Sequence, residues 1–228
     1  MITHLLVDYG EVISTPPPAG TLPDLAQLSG LPADELGRRY WHHRPDYDRG
    51  QSSEDYWSTV LRRALTSEDP LLRDLVAIDI GGWLHLNPLT LGILADVARS
   101  GTNLALLSNA PHPQADAMDR SDWARLFTHR LYSCRLGIAK PESSIFEQAL
   151  DIIGASPERT LFIDDKASNT RAAARLGLRT LTFTTPADLA RTLYARRLAE
   201  GPAIPPPALD PSSRAGGGED SLDVDQAG

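Results

Sequence analysis

The feature that most constrains this chain is a recurring phrase: a short apolar run that stops on polar or acidic residues. HLLVD (4–8), LALLSN (104–109) and TLFIDD (160–165) follow it, and RLYSC (130–134) and RTLTF (179–183) are shorter members of the series. Apolar runs of this length are the mark of strands buried on both faces. Helical segments are predicted between them at 142–153, 168–176 and 186–199, the last opened by Thr185-Pro186. Another starts at the Asn87-Pro88 N-cap and ends near Gly101. Strands separated by helices predict an α/β fold: a parallel, Rossmann-like sheet covered on both faces.

After the first strand the pattern changes. Ser14 to Gly20 (STPPPAG) reads as a rigid, turn-rich exit, and residues 21–80 read as mainly helical. Leu22, Leu25 and Leu28 share one helical face, and Gly30 stops that helix. Leu36 and Tyr40 space the next. Ser52-x-x-Asp55 offers a capping box before Tyr56, Trp57, Val60 and Leu61. The expected organisation is an α/β core over 1–14 and 86–200, a helical insertion over 15–85, and a tail over 201–228. The tail holds five Gly, five Pro and scattered acids, and is expected to be disordered.

Composition narrows the function classes. The net charge of −8 disfavours a nucleic-acid binder, which should be basic. No apolar run approaches the length of a membrane span, so a membrane partner is not expected. MITHLLVDYG has no basic start and does not read as a secretory signal. Cys134 is the only cysteine, which leaves no internal disulfide and no multi-cysteine zinc site; the cytoplasm is the expected compartment. Of 22 basic residues, 20 are Arg and two are Lys, at 140 and 166. In a chain that writes Arg wherever a cation will do, a compact ammonium marks a special requirement.

Ligands of open parallel sheets bind at the carboxyl ends of the strands. Four polar features stand at such ends: Asp8, the Ser108-Asn109 pair, Lys140 in GIAKPE, and the Asp164-Asp165 pair. Each has a plainer reading, as a loop-capping acid, an N-cap, a solvated lysine or an acidic turn. Together, they would face one crevice. Carboxylates gathered around one point repel unless a cation sits among them, and a few hard oxygen ligands suit Mg²⁺ with a substrate phosphate. A hydroxyl, a backbone amide and a lysine would hold the phosphoryl group, which leaves Asp8 to attack phosphorus.

VDYGEVI (7–13), LLSNA (106–110), GIAKPESSIF (137–146) and FIDDKASN (162–169), in this order, resemble the four motifs of the haloacid dehalogenase (HAD) superfamily. The insertion stands where that superfamily places a helical cap, and YDRGQSSEDYW (47–57) resembles caps of its haloacid dehalogenase and epoxide-hydrolase phosphatase-domain branch. The resemblance implies an Mg²⁺-dependent phosphatase acting on a small phosphorylated metabolite. It implies Asp8 as nucleophile, Ser108 and the Asn109 amide on phosphate, and Lys140 neutralising Asp8 and the phosphoryl oxygens. It implies Asp8, the Gly10 carbonyl, Asp165 and, through a water, Asp164 around the metal.

One departure changes the expected chemistry. The superfamily's first motif carries a second acid that protonates the leaving group, and here that position is Gly10. Proton assistance contributes about 10²–10⁴-fold, so good leaving groups such as acyl, aryl or sugar 1-phosphates are expected to be favoured. Glu11, one residue on, is expected to point elsewhere. Asn169 is expected to order its loop, and Lys166 to be either a rim contact or a surface residue. Trp41, Tyr47, Tyr56 and Trp57 are expected mostly in the core of the insertion, while Trp83 and His85 are assigned no chemistry. The alternatives are a metal-independent 2-haloacid dehalogenase and a pseudo-phosphatase that binds without turnover.

Overall fold

The computed structural model describes residues 1–196. The tail expected at 201–228, and the end of the helix expected over 186–199, lie outside the described residues.

The chain opens with β1 (His4–Val7), and four helices follow: α1 (Thr21–Ser29), α2 (Ala33–Asp48), α3 (Ser53–Leu61) and α4 (Pro70–Trp83). It then alternates: α5 (Pro88–Arg99), β2 (Asn103–Ser108), α6 (His112–Asp119), β3 (His129–Tyr132), α7 (Ser133–Leu136), α8 (Ser143–Ile153), β4 (Thr160–Asp164), α9 (Ala167–Arg175), β5 (Arg179–Thr182) and α10 (Pro186–Ala195). The sheet order is β3-β2-β1-β4-β5, and every pairing is parallel. β1 is central, with β2 on one side and β4 on the other. The chain builds outward to β3 and then crosses back to β4, so the carboxyl ends of β1 and β4 flank the switch point where such sheets open a crevice.

Period-two alternation divides the sheet residues between two cores. Leu5, Val7, Leu104, Leu106, Leu161 and Ile163 face one layer with Leu94, Val97 and Leu193 of α5 and α10. Leu6, Ala105, Leu107 and Phe162 face the other, with Phe146, Ala149 and Ala173 of α8 and α9. Helices α1 to α4 bury a third core, in which Leu25, Leu36, Tyr40, Tyr47, Tyr56, Trp57 and Leu75 pack on one another. The two chain crossings between these helices and the sheet run side by side. Ser14 bridges Leu86, the Thr15 amide donates to the His85 carbonyl at 2.7 Å, and the Asn87 amide donates to the Ile13 carbonyl at 2.8 Å.

The punctuation expected from sequence is in place. Gly30 ends α1 at φ 72°, a left-handed conformation that suits glycine. Ser52, Asn87 and Thr185 side chains accept from the amides of Asp55, Thr90 and Asp188. Two elements differ. The run RLYSC leaves the sheet at Tyr132, because Ser133 and Cys134 turn into α7, which ends on Gly137 in the left-handed region. α6 is the helix that the N-cap reading of Ser108-Asn109 anticipates, but it starts only at His112 and no side chain caps it. Among the described residues no helix is long and apolar enough to cross a membrane.

Phe162 is fully buried in β4 and meets Phe146 edge-on at 5.1 Å. Replacing Phe162 with Ala should therefore cost about 3–5 kcal/mol in urea unfolding, the price of an uncollapsed core cavity.

Candidate active site

Sheet register brings the acids together. Leu6 pairs with Phe162, and Val7 with Ile163. Asp8 and Asp164 come two residues after Leu6 and Phe162, so they project side by side from the same face. The Asp8 amide, donating to the Ile163 carbonyl at 2.9 Å, extends the pairing by one residue. Lys140 reaches them from the loop before α8. Its Nζ lies 2.7 Å from Asp8 Oδ1 and 2.8 Å from Asp164 Oδ2, and it donates to the Leu107 carbonyl at 2.9 Å. An ammonium has three N–H groups, and here all three meet protein oxygens. Asn109 fixes the lysine's backbone: its amide donates to the Lys140 carbonyl, and its Oδ1 accepts from the Lys140 amide, both at 2.9 Å.

Asp164 is held on both oxygens. Oδ1 accepts from the Lys166 amide at 2.8 Å and from Asn169 Nδ2 at 2.9 Å, while Oδ2 accepts from Asn169 Nδ2 at 3.0 Å as well as from Lys140. Burial opposes its charge, but Lys140 and these donors outweigh burial and hold its carboxyl below the usual range. Asn169 orders the loop, as expected from sequence. Burial also works against the Lys140 charge, yet Asp8 and Asp164 keep the ammonium above its ordinary value. Asp8 goes the other way. Burial, reinforced by Asp164 and Asp165 and only partly countered by Lys140, pushes it up to about 7.

Oxygens of Asp8, Asp164 and Asp165 lie within 4.8 Å of one another. Lys140 balances one of the three negative charges, so the remaining imbalance equals the charge of one divalent cation. The donors are hard carboxylate oxygens, and the set fits Mg²⁺. Asp165 lines the cleft, whereas Asp164 is fully buried and already gripped by its donors. That geometry favours Asp165 as the direct ligand.

Gly10, Ser108, Asn109, Lys140 and Asp165 line the same cleft as Asp8. The sequence-expected residues thus converge on one place, and other residues join them at its edge. Glu11, expected to point elsewhere, lines the cleft; it sits at φ 57° in the tight turn after β1, where its amide donates to Ser14 Oγ. Trp83, assigned no chemistry, also lines it. Lys166 is a cleft residue too. Tyr47, Tyr56 and Trp57 are buried in the core of α1 to α4 as expected, while Trp41 is half exposed at the cleft.

Sequence reasoning missed the wall formed by Arg44, Asp48 and Gln114. Arg44 donates to Asp48 at 2.7 Å, to Gln114 at 2.9 Å, to Asp79 at 3.3 Å and to the Tyr40 hydroxyl. Gln114 belongs to α6, so this network ties α2 to the sheet side of the molecule. The signal was present: Leu36, Tyr40, Arg44 and Tyr47 fall on one helical face of α2, and an arginine on an apolar stripe needs buried partners.

The raised Asp8 pKa carries a sign. Between about pH 4, the ordinary aspartate value, and pH 7, the fold keeps a proton that the unfolded chain has lost. Stability from this group is therefore present at low pH and is lost as pH rises through that window. With chelator present, Asp8→Asn should gain thermal stability relative to wild type as pH goes from 4 to 7. Differential scanning calorimetry at the two pH values checks this; a constant difference contradicts it.

Comparison with known proteins agrees with the geometry. The family model for haloacid dehalogenase-like hydrolases matches residues 20–177, which include Ser108, Lys140 and Asp165 but not Asp8. The pig (Sus scrofa) bifunctional epoxide hydrolase 2 is 33% identical over 91 residues, 38% of this chain and 16% of that protein. A phosphoserine phosphatase of Thermus thermophilus is 34% identical over 92 residues, 40% of this chain and 37% of its own. These matches thus span well under half of either relative's length. A HAD family enzyme of Bacteroides thetaiotaomicron, solved with magnesium and inorganic phosphate, has the same fold: its TM-score is 0.69 at 18% identity, over 81% of this chain and 95% of that one. With well over half of its length matched, this chain belongs to the haloacid dehalogenase-like hydrolase family.

Proposed function

We propose that this hydrolase is an Mg²⁺-dependent phosphomonoesterase that acts on a small phosphorylated metabolite through an aspartyl phosphate on Asp8. The observation that carries the reading is the buried Lys140 ammonium between Asp8 and Asp164, beside a third acid, so that one cation faces three carboxylates. Residues 15–85 act as a cap over the core formed by residues 1–14 and 86–196.

Lys140 and the Tyr9 amide both contact Asp8 Oδ1, each at 2.7 Å. Oδ2 is then the attacking oxygen. It forms the new bond to phosphorus while the bond to the leaving oxygen breaks. The Ser108 hydroxyl and the Asn109 amide bind phosphoryl oxygens. Lys140 acts on them through its charge, since its N–H groups are engaged by the protein. Asp8, Asp165 and the Gly10 carbonyl would hold Mg²⁺, with Asp164 as an outer partner, and the cation would neutralise phosphoryl charge. Water then attacks the acyl phosphate, releases inorganic phosphate and restores Asp8, and its proton ends on the departed oxygen.

No acid stands at position 10 to protonate that oxygen. The site therefore favours esters whose leaving groups are stable as anions: aryl and acyl phosphates, or sugar 1-phosphates. A dehalogenase using the same aspartate would keep its activity after metal removal.

Phosphate release from an aryl phosphate should stop with chelator, return with Mg²⁺ and fall by more than about 10³-fold in Asp8→Asn, an effect in keeping with loss of a nucleophile. Activity that survives the chelator contradicts the reading. A built Cβ at Gly10 meets only Trp83 Cζ3, at 3.7 Å, an ordinary contact. Gly10→Asp should thus raise turnover of an alkyl phosphate relative to an aryl phosphate by about 10²-fold, in the range of general-acid assistance. An unchanged ratio, measured by steady-state phosphate release, would show that the missing acid does not set the preference.

A further inference from the structure

We propose that a second pocket, next to the catalytic cleft, receives one aromatic ring of the leaving group, so that the substrates are phosphate monoesters of aromatic alcohols. This rests on the phosphatase reading and narrows it.

The pocket lies where the chain leaves the core for α1. Pro17, Pro18, Leu22, Leu25, Trp41 and Trp83 line it. No charged side chain lines it. The Tyr40 hydroxyl at its wall already donates to Asp79 at 2.6 Å, which leaves Thr21 as the hydroxyl able to serve a guest. A sugar placed here would bury hydroxyls without partners, and unpaired buried polar groups are unfavourable. The volume is about 190 Å³. An apolar cavity of roughly 150 Å³ accepts benzene, so the space suits one ring.

Trp41 and Trp83 also line the cleft that holds Asp8, so the two spaces share a wall. Their rings meet edge to face at 6.4 Å, and Trp41 remains 51% exposed, an indole left at the mouth. Trp83 faces the position where a Gly10 side chain would start, 3.7 Å away. Beside the nucleophile's loop there is thus an indole edge in place of a carboxylic acid. The two facts select the same guest. An aryloxide departs without a proton, which suits Gly10, and its ring is apolar and flat, which suits the indoles and prolines.

The test uses the full chain with Mg²⁺, wild type and Ala19→Trp. Ala19 lies on the exposed loop that lines the pocket and does not line the cleft that holds Asp8. Phenyl phosphate and acetyl phosphate both have good leaving groups, and only the first has a ring. Ala19→Trp should lower kcat/KM for phenyl phosphate by about ten-fold, the scale of an apolar subsite, and leave acetyl phosphate unchanged. Equal effects on both, or none, overturn the proposal. Calorimetry on wild type gives a readout without turnover: phenylphosphonate should bind about ten-fold tighter than methylphosphonate, again the scale of an apolar subsite. Equal affinities, or no binding of phenylphosphonate, overturn the pocket's role. If neither ester is hydrolysed but phenylphosphonate is still preferred, the phosphatase reading fails and the pocket stands.

Discussion

The site depends on one ammonium in a dry place. Lys140 touches Asp8, Asp164 and the Leu107 carbonyl, three acceptors for three N–H groups. Without it, two carboxylates would project side by side from adjacent parallel strands, buried and repelling. A guanidinium is a flat fork and does not match this tripod. That is a physical reason for one of only two lysines in a chain with twenty arginines. The lysine is in turn held by Asn109, whose side chain brackets the Lys140 peptide, so the end of β2 sets the position of a group that serves β1 and β4.

Under the proposed function, the same constraint gives a bound cation its role. Lys140 stabilises Asp164 as an anion but leaves Asp8 too deeply buried to ionise readily. A divalent ion held by the three carboxylates would remove that penalty and leave Asp8 ionised, as the proposed nucleophile must be, at neutral pH. Metal binding and nucleophile activation are then one electrostatic event. Gly10 bears on the other half of the proposed chemistry, since a side chain there would start 3.7 Å from Trp83 Cζ3 and none is present to donate a proton.

Much of this was legible in the sequence, for reasons of scale. Strands such as LALLSN and TLFIDD declare themselves because apolar side chains fill consecutive positions, and parallel pairing then forces their polar ends to one edge. Asp8, Ser108 and Asp165 needed only that rule and chain order, whereas Lys140 lies past α7 and was marked by its rarity and its motif. Helix punctuation at Gly30, Ser52 and Asn87 was readable because it is local. What depended on docking between the helical insertion and the sheet was not readable. Arg44 meets Gln114 across 70 residues, and nothing local to either announces the other. Trp83 looked like a junction residue because its place at the cleft comes from how α4 ends, with its carbonyl accepting from the Tyr9 hydroxyl at 2.7 Å. The left-handed conformation of Glu11 in the turn after β1 was not readable either, since φ cannot be read from neighbours of ordinary type.

The central claim is that Asp8 forms a covalent bond to phosphorus. Acid quenching during turnover of an aryl phosphate, followed by peptide mass spectrometry, reads this directly. The account predicts one phosphoryl group on the peptide containing Asp8, present with Mg²⁺ and absent after its removal. A phosphoryl group on another residue, or none on Asp8 while phosphate is being released, would contradict it.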